Sequence, residues 1–135
     1  MTTVFVDSNV FLRFFVADDA EQHDKARSLL RHAAEGKVDL VTGPPVLFEI
    51  SWALQRIYSQ SNEQVLEVLA SMVRLPGLEM TDGPVVERAL GFARTCNMHF
   101  ADAYVAALAE STGAMGLATF NRRHFEGALD LYPLK

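Results

Sequence analysis

Cysteine is almost absent: this chain of 135 residues has one, Cys96. It cannot pair within the chain and has no metal-ligand spacing, so a disulfide scaffold is excluded and a reducing, cytoplasmic location is expected. Long apolar runs are lacking too. Stretches such as Val10–Leu12 and Ala103–Ala109 are far too short to span a bilayer, so no membrane association is expected. The N-terminus has no basic start and carries Asp7 inside its first apolar stretch, unlike a secretory signal. Basic charge is also short, with 12 Lys and Arg against 17 Asp and Glu and a net charge of −5. That excludes little by itself. It argues against general attraction to phosphate, yet it is compatible with an enzyme that reaches phosphate through bound cations.

What is present is an ordinary globular balance, 50% hydrophobic and 21% charged, at a length that suits one domain over residues 1–135. Thr2–Val6 reads as a strand whose apolar centre, Val4-Phe5-Val6, is expected to be buried on both faces. Asp7-Ser8-Asn9 breaks it before a short helix over Val10–Val16. Asp18 with Glu21 reads as the cap of a second helix, with an apolar stripe of Ala26, Leu29, Leu30 and Ala33 and a stop at Gly36. Val38–Val41 is a second strand. Thr42-Gly43-Pro44 starts a helix running to about Tyr58, with Val46, Ile50, Ala53, Leu54 and Ile57 inward. Ser61 and Gln64 cap the next helix, which ends before Pro76-Gly77. Leu78–Met80 is a third strand, and helices follow after Pro84 and over Phe100–Ser111. Ala114–Thr119 is a fourth strand, Asn121–Phe125 a helical turn, and Leu129–Tyr132 a last strand. Strands alternating with helices, without a tight hairpin signal, imply an α/β fold: a mostly parallel sheet with helices on both faces.

Ligands of open parallel α/β sheets bind beyond the carboxyl ends of the strands. Asp7 directly follows the first strand, and Glu49 lies in the first two turns of the helix after the second. Asp102 opens its own helix, and Asn121 comes two residues after the fourth strand. All four are expected at one sheet edge. Clustered carboxylates repel unless cations lie between them, and oxygen ligands suit the hard ions Mg²⁺ or Mn²⁺. Such ions activate water and polarise phosphoryl oxygens, so phosphodiester hydrolysis is the expected reaction class. No Ser-His-Asp or Cys-His arrangement competes.

Each residue also has a structural explanation. Ser8 or Asn9 suffices to cap the first helix, which leaves Asp7 without a structural task. Glu49 and Asp102 could be exposed partners of helix N-termini. Against that, the neighbours Trp52 and Ala53 make a partly apolar stripe beside Glu49, and Val105, Ala106 and Ala109 continue the face opened by Asp102. Asn121 is a good cap for the turn that follows, and Thr119 reads as the end of a strand. Arg122, Arg123 and His124, together with Arg13, are candidates for phosphate contact, although most such clusters are solvated surface. Phe11, Phe14 and Phe15 read as packing residues.

Four segments carry a family resemblance: Val-Phe-Val-Asp-Ser-Asn-Val at 4–10, Phe-Glu-Ile at 48–50, Phe-Ala-Asp-Ala at 100–103 and Ala-Thr-Phe-Asn-Arg-Arg-His-Phe at 118–125. In this order and in a chain of this size they resemble a PIN domain, more closely the VapC-type toxins of toxin–antitoxin pairs. The resemblance implies a five-stranded parallel sheet between helices. It also implies an Mg²⁺- or Mn²⁺-dependent endoribonuclease with metal held by Asp7, Glu49 and Asp102, and Asn121 as a fourth catalytic position. The implied partners are an RNA substrate, a small antitoxin and a second copy of the chain. The family usually has aspartate at the position of Asn121, so weaker metal affinity or loss of a second metal is expected here. The alternative is a PIN-like module that binds RNA or protein with little or no catalysis. A phosphotransferase using Asp7 as nucleophile ranks lower, because Asn9 stands where such enzymes have a second aspartate.

Overall fold

The computed structural model describes residues 2–135, which form two compact units, one ending at Asp82 and the other Gly83–Lys135. In the first, the order is β1 (Thr3–Phe5), α1 (Ser8–Phe15), α2 (Ala20–Ala34), β2 (Asp39–Thr42), α3 (Pro44–Arg56), α4 (Asn62–Val73) and β3 (Leu78–Met80). The strands form a parallel sheet in the order β1-β2-β3, with Val4 opposite Leu40 and Leu40 opposite Leu78.

Side chains alternate across a strand. Leu40, Thr42 and Val6 are buried, whereas Thr3, Phe5, Asp39 and Glu79 are exposed. The expectation that β1 is buried on both faces is therefore corrected: Phe5 is 59% exposed. The core of this unit is built from Phe11, Leu40, Leu47, Ile50, Leu54, Val65, Leu69 and Met72, all fully buried. Each contributes roughly 1.5–3 kcal/mol by leaving water. Helix α3 supplies several of them, and it packs against α1 and α4. Ile57, expected inside, is 62% exposed because the helix ends one residue earlier, at Arg56.

The caps follow local chemistry. Ser61 and Gln64 form a reciprocal capping box at the start of α4. At α2 the cap is Asp19, whose Oδ1 accepts from Gln22 N–H at 3.0 Å. The expected cap, Asp18, instead accepts from Arg13 at 3.3 Å and from the Tyr58 hydroxyl at 3.0 Å. Gly77 turns the chain from α4 into β3 with φ +78°, a region that L side chains disfavour.

The second unit contains α5 (Gly83–Thr95), α6 (Phe100–Ser111) and a 3-10 turn (Arg122–Phe125). Helices α5 and α6 pack against each other, and Val86, Ala89, Ala93, Phe100, Ala103 and Ala106 on them are buried. Their outer sides are joined by Arg88, whose guanidinium donates to both carboxylate oxygens of Glu110, at 2.8 and 3.0 Å.

Of the five strands implied by the resemblance, three are present among the described residues. Ala114–Thr119 and Leu129–Tyr132 meet only in one parallel bridge, Leu117 with Leu131. Its two hydrogen bonds are Leu117 N–H to Asp130 O, 2.9 Å, and Tyr132 N–H to Leu117 O, 2.8 Å. No helix among the described residues is long and apolar enough to cross a membrane.

Candidate functional site

In the first unit the backbone at the end of β1 is fixed before the candidate acid begins. Val6 N–H donates to Val41 O at 2.9 Å, and the buried Thr42 hydroxyl donates to Val6 O at 3.0 Å. Asp7 follows in an extended conformation, and it is itself the N-cap of α1: its Oδ1 accepts from Ser8 N–H at 2.8 Å. This corrects the reading that Asp7 has no structural task. The helix begins at Ser8, one position too early for Ser8 or Asn9 to serve as cap.

Ser8 is buried, and its hydroxyl donates to Glu49 Oε1 at 2.8 Å. One residue thus engages both carboxylates, Asp7 through its backbone and Glu49 through its side chain. Neither Ser8 nor Thr42 was singled out in the sequence as a site residue, because a hydroxyl at a strand end reads first as a cap. Glu49 stands on the exposed face of α3 together with Trp52, which is 57% exposed. Of the two neighbours that made the stripe beside Glu49, Trp52 thus faces solvent while Ala53 is buried. Among the described residues, Asp7 Oδ2 and Glu49 Oε2 take no protein hydrogen bond.

Arg13 does not contact this pair. It bonds Gln22 Oε1 at 2.6 Å, Asp18 at 3.3 Å and Tyr58 at 3.3 Å, tying α1 to its neighbours. A groove of about 500 Å³ between α1 and α2 is lined by Asn9, Arg13, Gln22 and Lys25 among others, with no carboxylate. Phe11 is core, while Phe14 stacks edge-on against Phe15 at 5.0 Å and faces His23.

In the second unit Asp102 lies half-buried in the first turn of α6. Its Oδ2 is 3.2 Å from His124 Nδ1. His124 belongs to the 3-10 turn, which the buried Phe125 anchors. Asn121 precedes that turn, but its side chain makes no capping bond; instead its N–H is held by the Thr119 hydroxyl at 3.0 Å. Thr119 therefore supports Asn121 and does not finish a strand. Arg122 and Arg123 are exposed. Along α6 the expected buried face is incomplete, since Ala106 is buried but Val105 is exposed.

The candidate carboxylates thus fall into two local arrangements, Asp7 and Glu49 joined by Ser8, and Asp102 with His124, with Asn121 just before the 3-10 turn that carries His124. Within either unit, no group of three or more His, Cys, Asp or Glu is gathered as a metal-holding cluster among the described residues. The donors of the first arrangement are oxygens only, the type that hard divalent ions prefer.

The PIN domain family matches residues 4–128. The chain belongs to the PIN domain family. The match runs through both units and takes in Asp7, Glu49, Asp102 and Asn121. PIN domains are generally nucleases and typically use divalent metals. Comparison with curated proteins gives no match.

Proposed function

We propose that this PIN domain is an Mg²⁺- or Mn²⁺-dependent endoribonuclease, the toxin half of a VapC-type toxin–antitoxin pair. The observation that carries the proposal is the Ser8 bridge, which holds the carboxylates of Asp7 and Glu49 beside the end of a parallel strand. Asp7 and Glu49 are assigned as metal ligands through the oxygens that Ser8 leaves unengaged. Asp102 is assigned the same role, and Asn121 that of a neutral carbonyl donor; these two rest on the family and the sequence.

The chemistry supplied by bound Mg²⁺ or Mn²⁺ is activation of water and polarisation of a phosphoryl oxygen. The chain's own contribution is placement. Thr42 fixes the carbonyl before Asp7, the α1 N-terminus fixes the Asp7 side chain, and Ser8 fixes Glu49. The N-terminus of α1 also favours negative charge at this spot. The partners proposed with this reading are an RNA substrate, a small antitoxin and a second copy of the chain, in the cytoplasm.

A second reading has one observation in its favour. With Asn121 in place of an acid, the chain could bind RNA or protein without cutting. Incubating purified protein with a panel of transfer, ribosomal and messenger RNA in Mn²⁺, Mg²⁺ or EDTA separates the two. Discrete cuts that need metal support the nuclease. Binding without cuts under any of these conditions supports the non-cutting module.

A further inference from the structure

The exposed side chains of α3 fall at Pro45, Glu49, Trp52 and Arg56, spaced four, three and four residues apart. That spacing makes one stripe along the helix. Glu49 is a proposed metal ligand at one end, and Arg56 is a cation in the last helical turn at the other. Trp52 lies between them, about 4.5 Å along the axis from Glu49 and about 6 Å from Arg56 at the usual helical rise. Trp52 is 57% exposed, and among the described residues its ring meets no aromatic or cationic partner and Arg56 forms no ion pair.

We propose that the α3 stripe binds single-stranded RNA next to the cleavage site, with a base stacked on Trp52 and a phosphate on Arg56. The inference rests on the nuclease reading of Glu49 and deepens it. An open aromatic face beside a cation is the combination that holds single strands: the ring takes a base and the cation takes the backbone. A base inside a duplex is already stacked on both sides, so the ring selects unpaired nucleotides. With a net charge of −5 the chain has no general pull on phosphate, and local contacts of this kind must supply the affinity. The adjacent Glu49 carboxylate excludes an unshielded phosphate from its own position, so the strand is read from the Trp52 and Arg56 end of the stripe.

Trp52 is the chain's single tryptophan, so its fluorescence reports this position alone. The test titrates the protein with a short oligouridylate, an oligoadenylate and an RNA duplex of equal length in EDTA, where cutting is suppressed. Saturable quenching by the single strands and much weaker quenching by the duplex are expected. Trp52→Ala should weaken binding of a labelled single strand by roughly 5- to 100-fold, with Trp52→Phe retaining part of the affinity. Arg56→Ala should lower the slope of log affinity against log salt by about 0.7, the value for one phosphate contact on a single strand. Both side chains are exposed, so the variants keep the fold, as circular dichroism would verify.

Fluorescence unmoved by single strands overturns the proposal, and so does equal quenching by duplex. A fluorescence change that follows protein concentration alone, with RNA without effect, also overturns it and assigns the stripe to contact between copies. The two readings fail separately. Metal-dependent cutting without Trp52 quenching removes the stripe and leaves the nuclease; quenching without cutting in any metal removes the nuclease.

Discussion

The hydroxyl of Ser8 donates to Glu49 Oε1 across 2.8 Å, joining residues 41 positions apart in the chain. The same residue's N–H donates to Asp7 Oδ1, so a single buried serine sets the position of two carboxylates. A hydrogen bond to an ionised group is among the stronger ones in a protein. Its acceptor here, Glu49, is exposed and can turn to water when the donor is lost.

Ser8→Ala should therefore change activity more than stability. Stability is expected to shift by about 1 kcal/mol or less, because the stranded carboxylate is rehydrated. RNA cleavage should fall roughly tenfold or more, the equivalent of about 1.4 kcal/mol in the barrier, as Glu49 loses its fixed position. Urea unfolding and cleavage rates measured on one preparation check the split. Equal, small effects on both would reduce Ser8 to a packing residue.

Two glycines with the same backbone angle should respond differently to alanine. Gly36 and Gly77 both have φ +78°, but a Cβ on Gly36 meets nothing within 4 Å, whereas on Gly77 it would lie 2.5 Å from the Ala33 carbonyl oxygen. Gly36→Ala should cost about 1 kcal/mol, the conformational penalty alone. Gly77→Ala should cost about 2–3 kcal/mol or more, since backbone atoms must also move. Urea midpoints for the two variants test the difference.

The Arg88–Glu110 pair makes a pH-dependent contribution with a defined sign. Its hydrogen bond from Arg88 holds the Glu110 carboxyl below the ordinary 4.5 and raises the Arg88 guanidinium above its usual value. A carboxyl depressed in the folded state stabilises fully above its unfolded value, and the contribution is lost as pH falls through the folded one. The melting temperature of Glu110→Gln should therefore lie slightly below the parent's at neutral pH and converge with it in acid below 4.5. The gap should also shrink in high salt, since both side chains are exposed.

Asn121 offers a clean test of charge at the fourth site position. Its side chain makes no capping bond and its N–H is held by Thr119, so Asn121→Asp leaves the local backbone bonds in place. The substitution should lower the Mn²⁺ concentration needed for half-maximal RNA cleavage. An unchanged metal dependence would mean that residue 121 does not face the metal.

Much of the fold was legible where one local signal dominates. Pro44 and the Ser61–Gln64 pair place the starts of α3 and α4, and the first three short apolar strands fall where the sequence puts them. The failures have physical causes. Asp18 and Asp19 are equivalent as caps in sequence, and Arg13 with Tyr58 draws Asp18 away. Val4-Phe5-Val6 looks buried throughout, but alternation turns Phe5 outward. Ala114–Thr119 and Leu129–Tyr132 read as strands, yet they meet only in one bridge, Leu117 with Leu131. At the candidate site Asp7 and Glu49 could be named from the chain, while Ser8 and Thr42 could not. Their roles come from hydrogen bonds to residues far away in sequence.

The most direct test of the proposed nuclease is Asp7→Asn, compared with the parent protein for RNA cleavage in Mn²⁺ and for unfolding in urea. Asparagine caps a helix about as well as aspartate, so the exchange keeps the start of α1 and removes only the charge. The prediction is unchanged unfolding with cleavage lost to the level seen in EDTA. Cleavage that persists in Asp7→Asn at the parental rate would contradict a metal-dependent site built on Asp7.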